Sequence, residues 1–220
     1  LNNSFRYANG EYILMIASDD RAKENTIKTL YEFLSQNSDY ALAVGDNHII
    51  DQEGQKCYWD SNRNNVYNEE DSTYKTFGDF LKRNRKDVDF NSEQFGSYKS
   101  LLKGNYIPNG FLIKKSVIDQ IGGYSENALL EDLYLVMQIS KISKMKYLDL
   151  PLFCYRWHNN NTVKESEKMV LYTLKTLENE WNYNTLHKFT LEYLYLIELR
   201  ISLAVKRIKK IIRQFRMFGI

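Results

Sequence analysis

Three clusters of side chains in this sequence can do chemistry. The first closes the stretch YILMIASDD, residues 12–20, where six apolar residues run into Ser18 and the adjacent carboxylates Asp19 and Asp20. A hard cation such as Mg²⁺ takes oxygen ligands at about 2.0–2.1 Å, commonly one or two carboxylates, with substrate phosphates and water in the remaining positions. Two adjacent aspartates can therefore give one ligand to a metal and one to a neighbouring hydroxyl. The same pair also suits a strand-end turn with a helix cap, because Asp favours both. The second cluster is Glu131 and Asp132 in NALLEDLYLVMQIS, at the head of a predicted helix. The helix dipole alone favours acids there, and one carboxylate held by the first helical turn can also act as a general base. The third is CYRWHNNNT, residues 154–162, with Arg156 and His158 on alternate residues and so on one face of an extended segment. Arg grips oxyanions and neutral imidazole ligates cations, so both can address a phosphate or the metal that binds one. A structural role for a lone strand histidine is the alternative.

These clusters need elements to hold them. Residues 2–9 read as the end of a short helix stopped by Gly10. Tyr12 to Ala17 read as a strand buried on both faces, the usual condition of a central strand in an α/β sheet, which places Asp19 and Asp20 just beyond its C-terminal end, where such sheets keep their working groups. Leu30, Phe33 and Leu34 predict a helix over 22–36, and DYALAVGDNHIIDQEGQKCYW predicts two strands with a turn at DQEG. Residues 58–103 form a long polar excursion with helices at 76–84 and 95–103. After GNYIPNG come a strand, FLIKK, a helix from Ser116 ended by Gly122 and Gly123, a helix over about 131–142 and the strand KYLDLPLFCYRW. From Lys164 the pattern is helical to the end. Ile201, Ala204, Val205, Ile208, Ile211, Ile212, Phe215 and Phe218 recur at helical spacing with basic residues on the other face. The division is an α/β body at 1–163 and a helical region at 164–220.

A chain of 220 residues suffices for one core with appended helices. Its 43% hydrophobic and 26% charged residues exclude wholesale disorder. The net charge of +2 is unevenly spread: residues 200–220 hold seven Lys or Arg and no acid, leaving 23 basic against 28 acidic residues before them. A mildly acidic body with no binding motif argues against nucleic acid. The basic amphipathic tail suits an anionic membrane surface, or else packs on the body with its basic face solvated. Cys57 and Cys154 are far apart, which argues against a disulfide framework or thiolate metal site and fits a reducing cytosol. No apolar window is long enough to span a membrane, and the first 20 residues lack the pattern of a signal peptide. The opening, LNNSFRYANGEY, reads as part of a longer chain.

In order and spacing, NNSFRYANGEYILMIASDD, ALAVGDNHIIDQEGQ, IPNGFLIKKSVIDQIGGYSENALLEDLYLVMQIS and YLDLPLFCYRWHNNNT resemble family 2 glycosyltransferases of GT-A fold, especially bacterial enzymes that build surface polysaccharides. The resemblance covers residues 1 to about 163 and rests on the ordered series with GEYI, IGGY and YRWH more than on either acidic dipeptide. It implies an α/β fold of the Rossmann-like nucleotide-diphospho-sugar transferase type, a mixed sheet lacking its first strands, with a C-terminal helical extension. It also implies metal-dependent, inverting transfer of a sugar from a nucleotide-sugar donor to a glycan or lipid-linked acceptor. Mg²⁺ or Mn²⁺ would be the cofactor, and the enzyme would be cytoplasmic, peripheral on the inner face of the cell membrane.

Carried over residue by residue, the resemblance makes Asp20 the metal ligand and Asp19 the sugar-nucleotide contact, with the two able to exchange roles. Asp132 would deprotonate the acceptor hydroxyl and Glu131 would help to place the acceptor. His158, as a further metal ligand, and Arg156 would close on the diphosphate, and Asn109 and Gly110 of IPNG would lie beside the donor sugar. Two features depart from the family pattern. Ala17 and Ser18 stand where another Asp usually precedes the metal-binding one, and the N-terminal strands that grip the base have no counterpart. Two rival readings share the fold or the chemistry: a non-catalytic glycan-binding or scaffold protein, and a sugar-phosphate nucleotidyltransferase.

Overall fold

The computed structural model describes residues 2–125, 128–183 and 197–207. In chain order its elements are α1 (Asn2–Tyr7), β1 (Tyr12–Met15), β2 (Arg21–Ala22), α2 (Thr26–Gln36), β3 (Tyr40–Ile50), β4 (Lys56–Trp59), β5 (Asn65–Val66), α3 (Phe77–Asn84), α4 (Tyr98–Leu101), β6 (Phe111–Lys114), α5 (Lys115–Ile121), α6 (Glu131–Ser140), β7 (Lys144–Arg156) and α7 (Ser166–Tyr183). The strands form one mixed sheet around β3. On one side β3 runs parallel to β7 along almost its whole length. On the other it pairs antiparallel first with β6 and then with β4.

Hydrophobic burial explains this centre. The run Ala41–Val44 is wholly buried, and Ile49 and Ile50 close the strand. One face of the sheet packs on α5, α6 and α7 through Ile118, Leu133, Val136, Leu174 and Leu177. The opposite face packs on α2, whose Leu30 and Leu34 meet Ala43, Leu112, Leu152 and Phe153. Trp59, Tyr155 and Trp157 make a third cluster that anchors the excursion after β4.

Several expectations change. β1 is an edge strand, paired only with β6 among the described residues, and each of its four residues is half-buried. Its faces do touch both cores, Ile13 and Met15 on one and Tyr12 and Leu14 on the other, so the apolar run is explained by its two faces while the open edge leaves it accessible. The helix expected from residue 22 starts at Thr26, because Arg21–Ala22 are drawn into β2 by pairing with β7. The helix expected at 95–103 shrinks to Tyr98–Leu101, preceded by Gly96 at φ +71°. In the tail, residues 197–207 are helical, but Leu203 is the buried residue and Leu199 packs beside it, whereas Ile201 and Val205 are exposed. Arg200 and Arg207 pair with Glu178 and Glu167 of α7, and this turns the expected apolar stripe outward. The rest of that stripe, Ile208 to Phe218, lies outside the described residues. Among the described residues no helix is long and apolar enough to cross a membrane.

One buried carboxylate joins the sheet to the excursion. The β3–β7 register shifts on either side of Asp46, which is 7% exposed. Its Oδ1 accepts the N–H groups of Asn47 at 2.6 Å and Gly78 at 2.7 Å, and its Oδ2 accepts the Thr76 hydroxyl at 2.6 Å. Thr76 is also the N-cap of α3, accepting from Asp79 N, so the start of α3 is tied to the central strand. A Cβ on residue 78 would lie 2.5 Å from Asp46 Oδ1 and 2.6 Å from the Tyr147 hydroxyl. Gly78→Ala is therefore expected to lower stability by about 1–3 kcal/mol. The check is a reduced denaturant midpoint at unchanged m-value; an unchanged midpoint would refute the tight contact at residue 78.

Candidate active site

The expected site residues fall into two neighbouring groups joined by the short stretch after β1. The first lines a pocket of about 210 Å³ formed by the last residue of β1, Met15, with Ile16 and Ala17 just after it, the segment 105–111 and the head of α6. It contains Asn109, Gly110, Glu131 and Asp132. The second group, Asp19, Asp20, Arg156 and His158, is connected by direct hydrogen bonds.

Asp132 sits at the first turn of α6. Its Oδ1 accepts the Leu133 N–H at 2.6 Å and its Oδ2 accepts Asn105 Nδ2 at 3.0 Å. The Asn105 amide has only one useful orientation, because its Oδ1 accepts the Ile107 N–H at 3.0 Å, which turns Nδ2 towards Asp132. Asp132 keeps solvent-accessible surface at the pocket mouth. Even so, the protein atoms packed around its carboxylate push its pKa above the ordinary value by desolvation, with Glu131 adding to the shift and the Leu133 and Asn105 hydrogen bonds opposing it.

The walls are built from distant parts of the chain. Asn109 is pinned through its carbonyl, which accepts the side-chain amide of the fully buried Asn47 at 2.7 Å. Gly110 has φ +84°, and a Cβ there would fall 2.7 Å from the Phe153 ring; only glycine lets this loop lie flat on the sheet. Tyr124 forms another part of the lining. Its backbone is clasped by the Asn2 side chain, which donates to Tyr124 O at 2.8 Å and accepts from Tyr124 N at 2.9 Å, and its ring stacks on Phe5 at 5.5 Å. Burial and the neighbouring Asp132 and Glu131 hold the Tyr124 hydroxyl pKa up.

In the second group the two aspartates differ. Asp20 Oδ1 accepts the backbone N–H of Arg156 at 2.8 Å, while its Oδ2 is buried and has no partner. Desolvation is the largest cause that pushes its pKa up to about 6, against the opposing hydrogen bond from Arg156. Asp19 is more open, its side chain 39% exposed, and its Oδ2 lies 3.0 Å from His158 Nε2. The His158 Nδ1 accepts the Asn160 N–H at 3.1 Å, so in the neutral ring the proton belongs on Nε2, aimed at Asp19. Arg156 donates from Nε to Asp19 O at 2.8 Å and from Nη1 to Asp51 O at 3.0 Å and Gln52 O at 2.7 Å. Its guanidinium thus works chiefly as a strut, with Nη2 left for an anion among the described residues.

A divalent cation fits this second group only with help from a substrate. No three His, Cys, Asp or Glu side chains converge on a metal position among the described residues. The Asp19 carboxylate is an accessible oxygen ligand as it stands. His158 can ligate through Nε2 once its proton moves to Nδ1, at the loss of the Asn160 contact. The orphaned Asp20 Oδ2 is a further oxygen that a nearby cation would satisfy. That donor set suits a hard ion that keeps waters and phosphates as its other ligands.

No family model matches the chain. Over an alignment of 168 residues that covers 74% of the chain, it is 24% identical to a protein named glycosyltransferase GlyG from Streptococcus pneumoniae serotype 4. The match takes in 49% of that protein, so the chain spans about half the length of the curated relative it matches.

Three residues of these walls have roles that the sequence alone does not signal. Asn47 and Asn105 give no sign of theirs in a chain rich in asparagine, and Tyr124 shows itself only as the last residue of IGGY. Because Arg156 joins residues 19–20 to 51–52, Arg156→Lys, which keeps the charge and loses the fork of donors, is expected to lower stability by about 2 kcal/mol. Amide exchange should speed up around Asp19 and Asp20. Unchanged exchange there would show that the strut is dispensable.

Proposed function

We propose that this chain is the catalytic portion of a metal-dependent, inverting glycosyltransferase of GT-A fold, moving a sugar from a nucleotide-diphosphate donor to a glycan or lipid-linked acceptor. The likeness to a protein named a glycosyltransferase supports sugar transfer at a coarse level. The observation that carries the finer reading is the pocket in which Asp132, gripped at both carboxylate oxygens, faces the end of the strand that leads directly to Asp19 and Asp20.

In this reading Asp132 takes the proton from the acceptor hydroxyl as that oxygen attacks the anomeric carbon, and a single in-line displacement inverts the configuration. Desolvation raises the Asp132 pKa and so its basicity, the direction that suits a general base. Glu131, beside it at the pocket, orients the acceptor, while Asn109 and Gly110 shape the wall against the donor sugar. Asp19 with His158, and Asp20 if its Oδ2 is uncovered, would hold Mg²⁺ or Mn²⁺, which would supply countercharge to the departing diphosphate. The geometry favours Asp19 over Asp20 as the first ligand, because Asp20 Oδ1 is already engaged by Arg156.

On a chain extended at its N-terminus to include the strands that grip the base, Mn²⁺ with UDP, GDP or dTDP is expected to raise the melting temperature through linkage; no shift with any of the three on that chain would sink the transferase reading. Asp132→Asn should keep that shift and lose about 10²- to 10⁴-fold in turnover. Turnover within threefold of the parent would remove Asp132 as the base. In the active protein kcat/KM should rise with pH as Asp132 ionises, the acidic limb lying above the ordinary aspartate value of about 3.9; a limb at or below that value would contradict the desolvated carboxylate.

A further inference from the structure

A second cavity, of about 310 Å³, lies between α6 and α7, within the range of small-molecule sites, about 300–1,000 Å³. α6 contributes Tyr134 and Gln138, with Lys141 just past its end, and α7 contributes Thr176, Asn179 and Glu180. Both sets follow helical spacing, so two helix faces meet across the cleft. Ser125 also borders it, next in sequence to Tyr124 of the first pocket, and the two cavities therefore share one stretch of wall.

The charges in this cleft are already matched to each other. Glu180 is 6% exposed; its Oε1 accepts Gln138 Nε2 at 2.6 Å, and its Oε2 takes the Lys141 ammonium at 2.7 Å and the Tyr98 hydroxyl at 3.1 Å. The neutral groups are not matched. Thr176 is 3% exposed and its Oγ1 is buried with no partner. Among the described residues the Asn179 amide, exposed to solvent, and the hydroxyl of half-buried Tyr134 make no hydrogen bond to protein. A buried hydroxyl without a partner is costly and marks a place where water or a ligand belongs.

We infer that this cleft is a binding subsite for a neutral saccharide unit. A charged ligand would find the Lys141–Glu180 pair already compensated, and an apolar one would leave Thr176 Oγ1 unsatisfied. A sugar ring meets both conditions: its hydroxyls donate and accept, as the exposed Asn179 amide does and as the Thr176 hydroxyl does once its side chain turns the closed-off Oγ1 to the cleft, and its C–H face can lie against the half-buried ring of Tyr134. The binding itself stands independently. Its role rests on the glycosyltransferase reading: the cleft would hold a sugar of the acceptor glycan away from the reacting hydroxyl, on the other side of the helix that carries Asp132.

The test is saturation-transfer NMR on the whole chain with glucose, galactose, N-acetylglucosamine, lactose and cellobiose as probes. At least one is expected to receive saturation, with binding roughly tenfold weaker in Thr176→Val and in Asn179→Ala and unchanged in Asp132→Asn. Thr176→Val removes only the unpartnered hydroxyl; should its melting curve show that it does not fold, Asn179→Ala tests the cleft independently. No transfer to any probe overturns the proposal. So does transfer that survives both cleft variants, and transfer lost only in Asp132→Asn would assign the sugar to the first pocket. Nucleotide binding is measured separately on the N-terminally extended chain, so a protein that binds sugar here but no nucleotide there would keep the subsite and lose the transferase.

Discussion

Arg156 ends the parallel ladder between β3 and β7, and the arrangement of the acidic pair hangs from it. The residue works in two ways at once: its main-chain N–H fixes Asp20, and its guanidinium ties Asp19 O to the carbonyls of Asp51 and Gln52. Two separate segments, 19–20 and 51–52, are thereby referred to one point on the sheet. Trp157, 5% exposed, locks the next step of the chain by burying its ring beside Trp59 and donating its indole N–H to Arg63 O. With residue 157 turned inward, 156 and 158 face the other way, and His158 meets the Asp19 carboxylate. A rigid anchor of this kind is what an accessible carboxylate needs if it is to bind a ligand without first being ordered.

α6 has a comparable double duty. Its buried face, from Leu133 to Ile139, belongs to the main core, which fixes the helix against the sheet. With the axis held, its first turn delivers Asp132 to one cavity, while Tyr134, Gln138 and the adjoining Lys141 are delivered to another. The polar positions differ in what holds them. Asp132 is gripped by neutral donors and faces a cavity, whereas Lys141 is matched by a carboxylate on the neighbouring helix.

Much of the fold was legible because it follows local rules. The apolar run of β3, the turn before β4, the Thr76 start of α3 and the left-handed Gly122 that ends α5 each depend on a few adjacent residues. Alternation alone put Arg156 and His158 on one side. What escaped depends on partners far away in sequence. An apolar run of four looks the same in the middle of a sheet and at its edge, so β1 was misplaced. Nothing in SDD says which carboxylate will be buried, since that is decided by a strand ending at residue 156. Asn105 acquires its role only because the Ile107 N–H orients its amide. The tail helix carries two overlapping apolar stripes, and the choice of Leu199 and Leu203 over Ile201 and Val205 is enforced by Glu167 and Glu178 on α7.

The clasp between Asn2 and Tyr124 joins residues 122 apart in sequence, and the Asp20–Arg156 hydrogen bond joins residues 136 apart. Closing a loop of that length carries an entropic cost of about 4 kcal/mol that no single hydrogen bond recovers. Neither cavity wall nor acidic anchor can therefore precede the core. The ladder of β3 on β7 brings those ends within reach, so the cavity wall and the acidic anchor both depend on that ladder being in place.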